Sequence, residues 1–266
     1  MLVLAGTFAL ALPTMLHKAG LHPEYHGAKV ALQNKHALLI TTSHDVLAAS
    51  GETEGPATGV VASEMTHPYY VFLDGGMQVD VASIKGGQNP IASDSLSRIS
   101  VTAETRRFLQ DSIFKAKVEK SIKVDAIDFT EYDIIFLAGG WGAAYDLGYS
   151  AVLGNKISDA YYAASKPVIG GVCHGVLGLI NAKDRDGNLL IAGRRMTGVS
   201  DKQIKELKIE ITPQHPETEL RKAGALYESQ TAFRDMFATH VVVDNENRSV
   251  TGQNQNSGLV TAYKMM

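Results

Sequence analysis

The chain contains a single cysteine, and it stands in Gly171-Val172-Cys173-His174-Gly175, directly after the apolar run 167–172 and before a second apolar run, 176–180. A G-x-C-x-G in that setting is a nucleophile elbow with sulfur in place of oxygen. Glycines two before and two after leave room for a sharp turn that presents the side chain above a sheet. A thiol at the start of a helix also feels the positive end of the helix dipole, which predicts a lowered pKa and a reactive thiolate. The competing reading is a small, buried and inert thiol. The His174 N–H can donate to an oxyanion whatever its ring does, while the ring could act as a base or simply pack.

Two further stretches could serve such a nucleophile. Ala138-Gly139-Gly140-Trp141-Gly142 follows an apolar run and lacks the third glycine of a dinucleotide fingerprint, so a nicotinamide cofactor is not expected. Its exposed amides could complete an oxyanion hole, with Gly139, Gly140 and Trp141 lining the substrate; a plain tight turn is the alternative. Glu64 lies in TGVVASEMTHP (58–68), an apolar context that would desolvate its carboxyl and raise its pKa into the range useful for moving protons. Taken alone, a glutamate here could equally be a solvated face residue, and His67 reads as a structural histidine rather than a metal ligand.

The elements needed to hold these groups are legible as alternating β-rich runs and helical stretches, the pattern of parallel strands with crossover helices. HALLITT (36–42), QVDVAS (78–83), YDIIFLA (132–138) and PVIGGV (167–172) are the strand candidates, each ending in residues placed where open α/β sheets bind ligands. Helices are predicted over 57–75, 103–118 and 155–165. Pro68 interrupts the first, so Glu64 is expected at a bend or just before a helix that starts near Pro68. DRDGN (184–188) reads as a turn, 189–199 as partly extended, 239–251 as a hairpin and 257–265 as a closing helix.

At 266 residues, with 45% hydrophobic and 20% charged residues, the chain is globular in composition,. At about 150 residues per domain it fits one large α/β domain or two small ones. The alternation favours one domain over 35–266, after an apolar N-terminal segment and polar tether over 1–34. A net charge of -3 invites no phosphate backbone, so nucleic acid is not an expected partner. One cysteine excludes an intrachain disulfide and any multi-cysteine zinc site; no metal or cofactor is expected. The run 2–16 resembles a signal-peptide core or anchor but is short of the ~18–20 residues of a spanning helix; an amphipathic or buried N-terminal segment is the alternative reading. Localisation is therefore open between cytoplasmic and membrane-anchored or exported, with membrane contact through that segment.

On the stretches quoted above, together with DVAS (80–83), LAGGWG (137–142), VCHG (172–175), MTGVSD (196–201) and VTGQNQNS (250–257), residues 35–266 resemble the ThiJ/PfpI superfamily. This lies within the class I glutamine amidotransferase-like fold, and the resemblance is to its heat-shock chaperone-like glyoxalase III branch. It implies a flavodoxin-like, doubly wound α/β sandwich, with a mostly parallel sheet and helices on both faces. It also implies Cys173 as nucleophile, His174 beside it and Glu64 bonded to the thiol as proton shuttle. The implied chemistry is cofactor-free conversion of methylglyoxal, or a related small reactive aldehyde, to a hydroxy acid. Members are often homodimers, so a homodimer is an expected arrangement.

Two positions depart from the branch. Trp141 stands where it commonly has a histidine, which alters the site rim. The acid that orients the histidine usually falls a few residues after the Thr-Gly of the MTGVSD stretch, where this chain offers Asp201. Other classes of function remain open at this level: a holdase or redox sensor using Cys173, or a cysteine amidase or peptidase. Glutamine amidotransfer is not expected, because no synthetase domain is present and His240 is followed by two valines rather than the x-Glu of that partner pair.

Overall fold

HALLIT forms β1 (His36–Thr41), in which every residue after the first is buried. A strand buried on both faces suits the centre of a parallel sheet covered by helices. A computed structural model describes residues 12–266; the first ten residues of the apolar run 2–16 lie outside the described residues. Among those described, β1 is joined by β2 (Gln78–Ser83), β3 (Ile122–Lys123), β4 (Ile134–Leu137), β5 (Val168–Val172), β8 (Val241–Val243) and β9 (Ser249–Gly252). They form one sheet in the order β3-β2-β1-β4-β5-β9-β8, parallel except for the β8/β9 pairing. A separate parallel pair consists of β6 (Arg195–Met196) and β7 (Leu226–Tyr227).

The period of two along each strand divides the core. Ala37, Leu39, Ile134 and Phe136 face α1 (Ala62–Asp74), α2 (Ala103–Phe108), α3 (Ser112–Glu119) and the closing α8 (Gly258–Met265). Leu38, Ile40, Ile135 and Leu137 face α4 (Ala143–Asp146), α5 (Ala151–Tyr161) and α7 (Pro216–Lys222). Helices thus cover both faces, the doubly wound α/β arrangement expected. The chain winds outward from β1 through β2 to β3, then returns to start β4 on the other side of β1. That reversal leaves the carboxyl ends of β1 and β4 side by side, where such sheets bind ligands.

Several local expectations are corrected. α1 runs unbroken through Pro68, and Glu64 is its third residue rather than a residue at a bend before it. Proline has no N–H, so the Glu64 carbonyl loses its partner four residues on, but packing outweighs that loss: residues 62–72 of the helix are all buried,. The helix predicted over 103–118 is two, because Asp111 caps α3 by accepting from the Ile113 and Phe114 N–H groups. The helix predicted at 155–165 begins earlier, where Ser150 accepts from Leu153 N–H and caps α5. Of 189–199 only β6 is extended as a strand, and α6 (Asp201–Leu207) and α7, not expected, follow it.

Residues 12–18 are helical, and the following stretch, expected as a polar tether, lies on the body. Leu21 is buried. The Asn256 side chain accepts from His22 N–H (2.7 Å) and donates to Gly20 C=O (2.8 Å), while Tyr25 stacks on Tyr263 of α8. No helix among the described residues is long and apolar enough to cross a membrane.

Candidate active site

β5 ends at Val172, and Cys173 opens a 3₁₀ segment, Cys173–Leu179, with φ at +58°. A side-chain-bearing residue in that left-handed region costs about 1–2 kcal/mol, so the elbow is strained. Gly171 and Gly175 both pass directly against Leu137 C=O of the neighbouring β4, leaving no space for a Cβ at either. The turn therefore projects Cys173 over the carboxyl ends of β4 and β5.

The β4–α4 loop approaches from the side. Gly140 has φ at +104°, and a Cβ there would strike the backbone at Gly59–Val61; a Cβ on Gly139 would lie 2.5 Å from Glu64 Oε2 and 2.8 Å from His174 N. Only glycine lets this backbone come so near. In consequence the N–H groups of Gly140 and His174 both approach the Cys173 sulfur, and that of Gly139 approaches Glu64. Two amides converging on one atom are the parts of an oxyanion hole.

Glu64 is 0% exposed, held beneath the loop by the first turn of α1. The Cys173 thiol and Gly139 N–H come within interaction range, yet neither is a well-aligned hydrogen bond, and both carboxyl oxygens lack a fully formed partner. Burial pushes the carboxyl up from 4.5 to about 8, against the weaker pull of those two contacts. It therefore carries a proton at neutral pH. The Cys173 thiol is pushed well above its ordinary value, by burial first and by the Glu64 charge second, while the His174 and Gly140 amides pull it down. This corrects the expectation of a thiolate made by a helix dipole: the turn is 3₁₀ and the sulfur is buried. When Glu64 is protonated, its opposing charge is gone and its O–H can donate to sulfur. Ionisation of either group therefore opposes ionisation of the other,.

His174 Nδ1 lies 3.5 Å from Cys173 Sγ. Its Nε2 has no partner, and burial, with His215 nearby, lowers the ring's pKa to about 3. The ring is thus a neutral imidazole. Asp201 is not brought to it: the Asp201 carboxylate accepts from Thr218 Oγ1 (2.9 Å), and its N–H donates to Glu217 (2.9 Å). As the first residue of α6 it is spent on the α6–α7 junction, so the expected orienting acid is absent from His174 and an imidazole, His215, is the ionisable neighbour.

Cys173, Glu64, His174 and Trp141 line a common cavity of about 450 Å³. Sequence reasoning missed three of its features: the buried and unpartnered Ser63 Oγ, Gln203 of α6, and Leu16 and Leu21 from the N-terminal segment. Ser63 could have been suspected from its place beside Glu64; the others carry no motif. No group of three or more His, Cys, Asp or Glu among the described residues could hold a metal ion.

Similarity to known proteins agrees with this geometry. Glyoxalase 3 of Candida albicans is 27% identical over 225 residues, covering 79% of this chain and 89% of its own. The crystal structure of glyoxalase III from Candida albicans superposes with a TM-score of 0.74 at 26% identity, over 87% of this chain and 95% of that one. The Rapid Encystment Protein 24 kDa of Francisella tularensis superposes with a TM-score of 0.77 at 34% identity, over 87% and 99%. Residues 56–259 match the DJ-1/PfpI family. A match spanning more than half the sequence, on a sheet of this topology, means that the chain belongs to the DJ-1/PfpI family.

Proposed function

We propose that the protein is a glutathione-independent glyoxalase, converting methylglyoxal or a related small 2-oxoaldehyde to the corresponding 2-hydroxy acid. The observation that carries the reading is a buried carboxyl beside a buried thiol, beneath two convergent amides. Similarity to proteins named glyoxalase 3 and glutathione-independent glyoxalase supports it.

The chemistry is an internal redox exchange with net addition of water. Cys173 sulfur attacks the aldehyde carbon, and the resulting oxygen takes a proton to give a hemithioacetal. Glu64 as carboxylate removes the hydrogen from that carbon, forming an enediol, and returns a proton to the neighbouring carbon. The former aldehyde carbon is then a thioester, oxidised, and the former ketone carbon an alcohol, reduced. Water cleaves the thioester to the acid and restores the thiol. Glu64 near pKa 8 suits both directions of transfer, because general acid–base catalysis works best with a pKa near the working pH,. The Gly140 and His174 amides stabilise the developing oxyanion.

The test is methylglyoxal loss and lactate formation by the full chain without glutathione. Turnover is expected, falling by about 10²-fold or more in Cys173→Ser and in Glu64→Gln. Absence of turnover, or turnover that survives both substitutions, would sink the proposal.

A further inference from the structure

The cavity is much larger than a three-carbon substrate requires. Its volume, about 450 Å³, falls among pockets of about 300–1,000 Å³ that enclose drug-sized ligands. Beyond the reacting groups its wall is largely apolar, with Leu16, Leu21, Ile99, Trp141, Leu207 and Phe237 contributing.

The polar side chains that also line it are mostly committed to the protein. Ser95 Oγ bridges Ala92 C=O and Ala62 N–H. Gln203 and Gln255 bond each other, and Gln255 also donates to Met236 C=O. Arg234 donates to Glu206 C=O. The lining residues with buried, unpartnered polar atoms are Ser63, Glu64 and His174, beside the sulfur or next to Glu64 in the chain, and His22. Such a chamber offers hydrogen bonds to the two carbonyls of a substrate and mainly apolar contact to the remainder.

Part of that wall comes from outside the sheet. Leu16 and Leu21 are carried by the N-terminal segment, which Asn256, 2% exposed, clamps by donating to Gly20 C=O and accepting from His22 N–H. A segment pinned by a buried amide on each side of Leu21 presents a fixed surface to the cavity.

We infer that this site selects 2-oxoaldehydes whose substituent is apolar and larger than methyl, and that Leu16 and Leu21 form part of the surface that grips the substituent. The inference rests on the glyoxalase reading above and specifies its substrate. The overall change is unaltered: R–CO–CHO plus water gives R–CHOH–COOH, with no external oxidant or reductant.

The test compares kcat/KM of the full chain for methylglyoxal, n-butylglyoxal, n-hexylglyoxal and phenylglyoxal. Burying a methylene contributes about 0.8 kcal/mol, or roughly threefold to fourfold. The n-hexyl substrate is therefore expected to exceed methylglyoxal by at least ~30-fold, with Leu16→Ala and Leu21→Ala each lowering that ratio by about fivefold. A second readout needs no turnover and uses the sole tryptophan, Trp141, in the cavity wall. In the Cys173→Ser protein, 2-hydroxyoctanoate should shift Trp141 emission at concentrations far below those at which lactate does.

Methylglyoxal turnover with a ratio near or below one would overturn this inference and leave the glyoxalase reading intact. Equal concentrations of 2-hydroxyoctanoate and lactate for the same Trp141 response would overturn it as well. No turnover of any member of the series would sink the glyoxalase reading and this one with it.

Discussion

Glu64 and Cys173 are buried neighbours, and the charge of one opposes ionisation of the other. With the carboxyl near 8 and the thiol above its ordinary range, both groups are protonated in acid, and the reactive species is the pair after loss of its first proton. kcat/KM for a 2-oxoaldehyde should climb up to tenfold per pH unit and level above about 8, as the Glu64 carboxyl ionises,. Iodoacetamide alkylation of the thiol should rise at higher pH than that, and in Glu64→Gln its rise should move to lower pH, because the Glu64 charge no longer opposes ionisation of the buried thiol. The same shift acts on stability. A carboxyl whose pKa rises from 4.5 unfolded to about 8 folded keeps its proton in the native state, so stability is lost as pH rises between those values,. Glu64→Gln should therefore gain on the parent from pH 5 to 8, by on the order of 3 kcal/mol in urea unfolding. An unchanged or widening deficit over that interval would contradict the shift.

At the scale of elements, α1 decides where Glu64 goes, and its neighbours decide that α1 survives Pro68. Tyr69 stacks on Phe114 of α3 with ring centroids 3.4 Å apart, and the Tyr70 hydroxyl donates to Asp111 (3.0 Å). Asp111 thus serves both as the cap of α3 and as an anchor for α1. Asp111→Ala should cost about 1–2 kcal/mol in thermal or urea unfolding, with Asp111→Asn recovering part of it. The Pro68 misreading has a plain cause: a proline in a sequence shows the missing donor but not the two aromatic contacts and the sheet face that offset it. The divided helix over 103–118 was more accessible, since Asp followed by Ser is a start signal. The strands required no such help, because four compact β-rich runs, ending at Thr42, Ser83, Ala138 and Val172, can be read as parallel strands without tertiary information,.

At the scale of the whole molecule, three imidazoles among the described residues, the buried His67 and His174 and the half-buried His22, are held without charge. His67 and His174 are lowered from 6.5 to about 3 chiefly by burial, and His22 likewise, with His67 and His17 adding repulsion. Below pH 6.5 the unfolded chain takes up these protons and the folded chain does not, so stability present above 6.5 is lost as pH falls toward 3. Each site costs up to ~1.4 kcal/mol per pH unit in that window. Urea midpoints should drop steadily from pH 7 to 5, and His67→Gln should make the drop shallower by about one proton's worth. A flat midpoint across that range would show that the imidazoles are charged in the native state.

The sequence by itself determined the doubly wound sheet, the elbow at Cys173 and the glycine loop at 139–140, because each is written in local pattern: strand period and glycine spacing; Glu64 stands out only through the family resemblance. Tertiary structure alone decided that the sulfur is buried, that Glu64 lies beside it, that His215 rather than Asp201 neighbours His174, and that residues 16 and 21 wall the cavity. Those outcomes depend on which segments distant in the chain come to lie together. Burial, which sets every large pKa shift here, is a property of that packing and not of any residue's neighbours in sequence.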